Sequence, residues 1–250
     1  MANLLQKVIN YISQRTKRNK LKKAWSNVLN QQLNIEQRFT YIYINNLWGS
    51  TESLSGPGST LLQTKNIRKK LPKLIQRYKI KSIFDAPCGD LNWMKYLFPK
   101  LSVQYIGADI VKDLILKNKK HFENKSTKFV HMNLLEEAFP KVNLMICRDC
   151  LFHFSYNDIR RVLENFIDAE IEYLLTTTFI HNRPNRDIVT GDFRRINLFK
   201  KPFYFDKNAL YRIDDFVYPQ PKRQICLWNR SQVIVALNKL KKLENKQQDT

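Results

Sequence analysis

Two kinds of apolar spacing alternate along the central part of this chain. Short apolar runs typical of buried strands occur at residues 80–86, 103–110, 128–133, 142–148 and 171–179. Segments with helical spacing separate most of them, at residues 91–98, 111–121 and 156–169. Parallel strands need a long crossover, usually a helix, so this order predicts an α/β domain with a doubly wound sheet of five parallel strands.

The C-terminal part departs from that alternation. Two more strand candidates, at residues 209–214 and 223–228, are joined by a proline-bearing loop too short to hold a helix. They predict an antiparallel hairpin at the edge of the sheet. A last helix is expected after Ser231, and residues 241–250 have the composition of a polar tail.

The N-terminal part predicts a helical extension followed by an unusual segment. Residues 3–30 have the spacing of a basic amphipathic helix, and three of the six glycines in the chain, Gly49, Gly56 and Gly58, fall within ten residues. Thr60 and Gln63 have the spacing of a capping box for a helix that Pro72 should kink or split. We therefore divide the chain into an N-terminal extension (1–59), a central domain (60–240) and the tail (241–250).

Charge leaves the class of partner open. The formal net charge is +21, and the densest basic cluster places six lysines and arginines within the nine residues 15–23. Such a cluster suits nucleic acid or an anionic membrane surface, whereas the lysines elsewhere, with the many asparagines and isoleucines, also fit a compositional bias. No apolar run is long enough to span a bilayer, and the N-terminus lacks the pattern of a secretory signal, so we expect a cytoplasmic protein.

Cysteine spacing argues against a metal site. Cys147 and Cys150 form a single C-x-x-C, and Cys88 and Cys226 provide no second pair. A structural zinc needs four ligands at workable spacing, so we expect reduced, buried thiols and no metal.

The chemistry-bearing motif follows the first predicted strand. The stretch "SIFDAPCGDLNW" combines a strand, a tight turn containing Gly89 and a helix start, and Asp109 ends the next strand twenty residues after that glycine. Ligands of doubly wound sheets bind at the carboxyl ends of the strands, and an acid at this spacing can accept hydrogen bonds from the hydroxyls of a ribose.

These residues resemble the first two motifs of the class I S-adenosylmethionine-dependent methyltransferases, and the similarity covers roughly residues 60–238. The resemblance implies a Rossmann-like fold and S-adenosylmethionine as cofactor. Pro87 and Leu91 replace glycines of the family pattern, which puts a dinucleotide in more doubt than a cofactor without phosphate. The run that includes "LWGSTESLSGPGS" and "CRDCLFHFS" also resembles a bacterial-type subgroup often found among surface-glycan genes.

The resemblance assigns cofactor contacts position by position. Asp85 would lie near the methionine amino group, Asp109 would hold the ribose, and Asn133 and Leu134 would contact the adenine. Arg148 would flank the methionine moiety, and Trp93 would offer an aromatic face near the sulfonium. The remaining expected contacts are Ala86, Pro87, Gly89 and Ile110.

For the acceptor, residues after the fourth and fifth predicted strands are the candidates. His153 and Asp149 are the candidate general bases, and for each of them a purely structural role is the alternative. Other residues are expected to contact the acceptor, namely Trp48, Glu52, His181, Asp192 and Arg194. Trp48 and Leu54 make the glycine-rich segment unlike a linker, and we expect a lid with Gly58 and Ser59 against the cofactor.

Three functions follow. The first is methyl transfer to a hydroxyl, or less readily an amine, of a small molecule or glycan. The second is methylation of RNA held by the basic surface, and the third is a methyltransferase-like scaffold without activity. Peripheral membrane contact through the N-terminal helix stays open beside all three.

Overall fold

The computed structural model describes residues 32–218 and 220–248, together with Ala24, Trp25 and Val28, and it describes side chains up to residue 242. Most of the basic helix expected at residues 3–30, and the whole cluster at 15–23, lie outside the described residues. The three isolated residues are helical, and Val28 is fully buried.

Seven strands form one mixed sheet. They are β1 (Ser82–Asp85), β2 (Gln104–Asp109), β3 (Thr127–His131), β4 (Leu144–Cys147), β5 (Tyr173–Phe179), β6 (Tyr211–Asp214) and β7 (Arg223–Asn229). Their order is β3-β2-β1-β4-β5-β7-β6, in which β1 to β5 pair in parallel and β7 runs antiparallel to both β5 and β6. The α/β prediction is confirmed. The order reverses direction at β1 and β4, and such a switch point opens a crevice at the carboxyl ends of the strands.

Five helices accompany the sheet in the described part of the chain. They are α1 (Ile35–Ile44), α2 (Lys65–Arg77), α3 (Lys112–Phe122), α4 (Tyr156–Asp168) and α5 (Arg230–Gln248). The last helix runs through residue 248, so most of the segment expected to be a tail is helical backbone. The apolar spacing of the sequence did not predict α1. This helix begins with a capping box, in which the Asn34 and Gln37 side chains each accept a hydrogen bond from the other residue's backbone N–H.

Two expectations on helices are corrected. Residues 91–98 do not form an α-helix but two short 3-10 turns, Met94–Tyr96 and Phe98–Lys100. Leu91 has a left-handed backbone with φ of 55°, and Pro99 cannot donate a backbone hydrogen bond, so an α-helix cannot propagate here. In α2, by contrast, Pro72 lies inside one continuous helix. Buried Leu71, Leu74 and Ile75 hold the helix together around the missing hydrogen bond.

The buried residues of the core match the apolar spacing from which the strands and helices were predicted. All four residues of β4 are buried, as expected for a central parallel strand. In α4 the buried residues Ile159, Val162, Leu163 and Phe166 form a single stripe, and Ser155 caps the helix by accepting a hydrogen bond from Asp158 N at 3.1 Å.

Three features of the structure bear on the class of protein. Within the described ranges no helix is long and apolar enough to cross a membrane. All four cysteines are free and buried. Over the same ranges no three or more histidine, cysteine or acidic side chains are grouped so that they could hold a metal ion.

Candidate active site

A cavity of about 580 Å³ lies at the carboxyl ends of β1, β2 and β4. Its wall combines residues at these strand ends with the glycine-rich segment before α2 and the loop after β5. The volume is within the range of about 300–1,000 Å³ typical of small-molecule sites.

Asp85, the last residue of β1, lies on the wall of this cavity and is only 3% exposed. Tyr105 donates a hydrogen bond from Oη to Asp85 Oδ2 at 2.6 Å, and Oδ1 has no hydrogen-bond partner within the described ranges. Burial raises the pKa of Asp85 to about 7, against the opposing effects of Tyr105 and Arg148. A cationic group placed beside Asp85 would therefore stabilise its ionised form.

Asp109, the last residue of β2, is bound through both of its oxygens. Gly89 N donates to Oδ2 at 3.1 Å and Val111 N donates to Oδ1 at 3.0 Å. Burial raises the pKa of Asp109 to about 6, although these backbone amides favour the charged form. A carboxylate accepts about four hydrogen bonds in all, so Asp109 keeps acceptor capacity for a hydroxyl.

Gly89 is required for a reason that the motif did not indicate. Its φ is 59°, and a Cβ built at this position would lie 2.3 Å from Ser55 Oγ. The glycine is therefore needed where the segment before α2 closes onto the turn after β1. Gly89 also lines the cavity, as expected for a cofactor contact.

That segment, residues 49–60, is called the lid segment below. Asp90 holds it: both carboxylate oxygens accept a hydrogen bond from Ser53 Oγ at 2.9 Å, and Oδ2 accepts one from Leu54 N at 2.8 Å. Ser55 Oγ also donates to Asp90 Oδ1 at 3.1 Å. Sequence reasoning missed Asp90, and the serine-rich composition of the lid segment was the only available signal.

Glu52 does not line the cavity. Its Oε1 accepts hydrogen bonds from Leu61 N at 2.7 Å and Asn92 Nδ2 at 2.8 Å. These contacts, the backbone one first, lower the pKa of Glu52. The structure therefore ties Glu52 to Leu61, just after the lid segment, and to Asn92, off the cavity wall.

Gly58 and Ser59 do line the cavity. Arg148 Nη2 donates to Gly58 O at 2.8 Å, and a Cβ at Gly58 would lie 2.4 Å from Asp149 Oδ2. Only a glycine fits between the lid segment and Asp149 in this arrangement.

A buried ion network lies behind Gly58. Arg148 and Arg223 share Asp215, at 3.0 and 3.4 Å, and share Asp149, at 3.4 and 3.2 Å. Burial by itself would raise the pKa of Asp149, but the two arginines outweigh it and leave that pKa lowered. Burial raises the pKa of Asp215, which is 0% exposed. No local pattern indicated Asp215 or Arg223, because they come from the distant β6–β7 hairpin.

The expected adenine contacts lie together on the wall. Asn133 and Leu134 line the cavity, although β3 ends two residues before Asn133, and the expected cofactor contact Ile110 lines it too. The Asn133 side chain accepts a hydrogen bond from Leu135 N at 3.1 Å, so it also shapes its own turn.

Three more expected cofactor contacts differ in position. Pro87 and Trp93 line the cavity, and Arg148 Cζ lies 5.6 Å from the Trp93 ring centroid. Ala86 does not line it; its N donates to Ile146 O at 2.9 Å and ties β1 to β4.

His153 lies on the wall at the end of the 3-10 turn Leu151–His153. Its Nδ1 is 2.8 Å from Asp192 O. A carbonyl can only accept, so we assign the proton to Nδ1, which leaves the lone pair on Nε2. Burial lowers the pKa of His153 to about 4, so the ring is neutral near pH 7.

Aromatic rings surround His153. We define the aromatic cluster as Trp48, Phe152, His153, Phe179 and Phe193, all of which line the cavity. The His153 ring lies 4.6 Å from Phe152, 5.8 Å from Phe193 and 5.9 Å from Trp48, between centroids. Phe152 also contacts Phe179 at 5.4 Å. Sequence reasoning found Trp48 and His153 but not the three phenylalanines.

The loop after β5 positions its polar residues differently from the prediction. His181 bonds the carbonyls of Arg183 and Arg195, and Asp192 contributes its own carbonyl to His153. Arg194 is buried beside the Tyr156 ring, where burial lowers its pKa to about 10. None of the three expected residues lines the cavity, whereas the neighbouring Arg195 does.

Comparison with known proteins rests on structure alone, since no family model and no curated protein matches the sequence. A SAM-dependent methyltransferase from Leishmania major is similar with a TM-score of 0.61 and 13% identity, over 83% of this chain and 91% of that one.

Two further solved structures are similar. Human N-acetylserotonin methyltransferase in complex with SAM gives a TM-score of 0.54 at 13% identity, over 85% of this chain and 66% of that chain. Magnesium protoporphyrin IX methyltransferase from Synechocystis with bound SAM gives 0.53 at 11% identity, over 80% and 99%. The chain has the fold of the SAM-dependent methyltransferases. At these identities the likeness establishes the fold alone.

Proposed function

We propose that this protein is a SAM-dependent methyltransferase that acts on a hydroxyl of a small molecule. The observation that carries the proposal is the pairing of Asp85 and Asp109 at adjacent strand ends, each buried and each with acceptor capacity left over. The similar solved structures with bound SAM support the choice of cofactor.

The residues present fit that cofactor. Asp109 would accept hydrogen bonds from the two ribose hydroxyls, and Asp85 would face the methionine ammonium, which lowers the pKa of Asp85 on binding. Ile110, Asn133 and Leu134 would contact the adenine. When bound, SAM supplies an activated methyl group on a positively charged sulfur. Trp93 offers an aromatic face that suits such a cation.

His153 would serve as the general base. Its neutral ring, with Nδ1 held by Asp192 O, would take the proton of the acceptor hydroxyl on Nε2. Asp149 is less suited to this role. Arg148 and Arg223 both contact its Oδ2 and stabilise the carboxylate, so Asp149 accepts a proton less readily. The cavity walls would exclude water and align the acceptor, and alignment alone supplies much of the rate in such reactions.

Calorimetry with S-adenosylhomocysteine tests the cofactor, and a methyl-transfer assay tests the base. We expect binding by the native protein, and we expect His153→Gln to bind equally well but to transfer methyl groups about 100-fold more slowly. Absence of binding would refute the proposal. Equal rates in the native and H153Q proteins would refute the role of His153.

An RNA acceptor and membrane contact stay predictions. Both depend on the basic cluster at residues 15–23 and its helix, which lie outside the described residues. Cytoplasmic location and the narrower resemblance to enzymes of surface-glycan genes also stay predictions.

A further inference from the structure

The part of the cavity around His153 is chemically unlike the part around Asp85 and Asp109. Three aromatic rings, of Trp48, Phe152 and Phe193, contact the His153 imidazole, and Phe39 and Phe154 extend the aromatic wall. Phe193 is 45% exposed, so it presents a ring face that the fold itself does not cover.

The polar side chains expected to contact the acceptor are not on this wall. Glu52, His181 and Asp192 do not line the cavity, and the Asp149 oxygens are occupied by Arg148, Arg223 and Thr177. A hydroxyl buried without a hydrogen-bond partner reduces affinity, so an acceptor with many hydroxyls fits this wall poorly.

Among the polar groups that line the cavity, three belong to the aromatic cluster or adjoin it in the chain. They are His153 Nε2, the Trp48 indole N–H and the guanidinium of Arg195. Trp48 Nε1 is buried and has no hydrogen-bond partner within the described ranges. The exposed Arg195 side chain lines the cavity, and no carboxylate in the described part of the chain pairs with it within 4.0 Å.

From these observations we infer that the acceptor is an aromatic hydroxyl compound with an anionic substituent. Its ring lies against the aromatic cluster, its hydroxyl faces His153 Nε2, and its anionic group faces Arg195. This inference rests on the proposed function and names the substrate class of the same site.

The chemical step balances for such an acceptor. The hydroxyl oxygen uses a lone pair to form the new O–CH₃ bond, and the electron pair of the broken S–CH₃ bond stays on sulfur. The hydroxyl proton passes to His153 Nε2 and then to water. An aromatic hydroxyl has a pKa near 10, as in tyrosine, and is a better match than an aliphatic alcohol for a weakly basic imidazole.

Calorimetry on protein saturated with S-adenosylhomocysteine tests the inference. The probes are 4-hydroxybenzoate, phenol and methyl β-glucopyranoside. We expect 4-hydroxybenzoate to bind at least about tenfold more tightly than the glucoside. Phe193→Ala should weaken 4-hydroxybenzoate binding about three- to tenfold, through loss of a ring contact.

Two variants make the test specific. Tyr96→Ala is a matched control, because Tyr96 is 48% exposed and lies away from the cavity wall, and it should leave binding of all probes unchanged. Arg195→Gln should weaken binding of 4-hydroxybenzoate about tenfold and leave binding of phenol unchanged.

The outcomes separate the two proposals. If S-adenosylhomocysteine does not bind, the proposed function fails. If it binds but the glucoside binds as tightly as 4-hydroxybenzoate, or if neither binds, the aromatic acceptor is overturned while the cofactor proposal stands. If Arg195→Gln weakens phenol and 4-hydroxybenzoate equally, the anionic substituent is overturned.

Discussion

The two parts of the cavity are built in different ways. The part around Asp85 and Asp109 stands on the ends of adjacent parallel strands, and backbone amides of Gly89 and Val111 hold Asp109. The part around His153 consists of side chains from the turn before the lid segment, the turn after β4, the end of β5 and the loop that follows it.

The difference lies in what fixes each group. Strand pairing sets the position of the two acids, because the register of β1 and β2 places Asp85 opposite Gly107, two residues before Asp109. His153 depends on a carbonyl 39 residues away, and Gly191 N donates to His153 O at 2.7 Å. Cofactor binding should therefore depend on local motifs, and acceptor binding on long-range loop contacts.

The largest expected effect concerns the ion network between the lid segment and the β6–β7 hairpin. Arg223→Gln leaves Asp149 and Asp215 buried with a single arginine, and we expect it to lower the free energy of unfolding by about 3 kcal/mol in urea. Lys141→Gln is the matched control: it breaks the exposed Lys141–Glu170 pair, which solvent screens, and should lower that free energy far less. Equal losses in the two variants would mean that the ion network contributes no more to stability than an exposed ion pair.

The next prediction tests the strand-end part directly. Asp109→Ala removes both expected hydrogen-bond acceptors of the ribose, so S-adenosylhomocysteine should bind about 100-fold more weakly by calorimetry. Phe193→Ala should leave this affinity unchanged, since Phe193 belongs to the other part. If both variants lose affinity alike, the division of the cavity into two parts is wrong.

A smaller effect is expected at the lid segment. Gly58→Val places side-chain atoms where even a Cβ would lie 2.4 Å from Asp149 Oδ2, so the segment must shift, and S-adenosylhomocysteine affinity should fall about tenfold. Leu62→Val, which changes an exposed residue away from the cavity wall, serves as the control. Unchanged affinity in the Gly58 variant would make the segment a surface turn rather than a lid.

The smallest effect is a pH dependence of cofactor binding. In the unliganded protein burial raises the pKa of Asp85 to about 7 and that of Asp109 to about 6, and the cofactor binds their ionised forms. Affinity for S-adenosylhomocysteine should rise about fivefold from pH 6.5 to pH 8, with proton release on binding at pH 6.5. Calorimetry in two buffers of different ionisation enthalpy measures both.

The same raised pKa values have an opposite effect on the unliganded protein. The protonated carboxyls contribute stability that is complete below about pH 4, and it is lost as pH rises through about 6 to 7. The gain in melting temperature on ligand binding should thus increase with pH. Tyr105→Phe removes a hydrogen bond that favours ionised Asp85, so it should move this dependence to higher pH.

Sequence patterns predicted the site residues that are positioned by strand ends, and failed for those positioned by contacts between distant segments. The expected cofactor residues, apart from Ala86, meet on one wall, because each lies at or just after a strand end or on the adjoining lid segment. In the loop after β5 the prediction chose Arg194, which is buried, over Arg195, which lines the cavity. Adjacent residues in an irregular loop have no period that indicates which one faces inward.

The lid segment shows the same limit. Its glycines and serines indicated a segment that folds back, but not that Asp90 would hold it or that Glu52 would bond Leu61 N and Asn92. These partners are 9 to 40 residues apart, and nothing in the local pattern pairs them.

The sequence by itself determined the alternation of strands and helices, and with it the edge of the sheet at which Asp85 and Asp109 meet. Apolar periodicity is local, and parallel pairing brings strand ends together without further information. Only the tertiary structure decided which polar side chains face the cavity around His153, because loops that are not periodic are placed by contacts between distant segments. The same contacts brought Asp215 and Arg223 to Gly58 and left the acceptor wall aromatic.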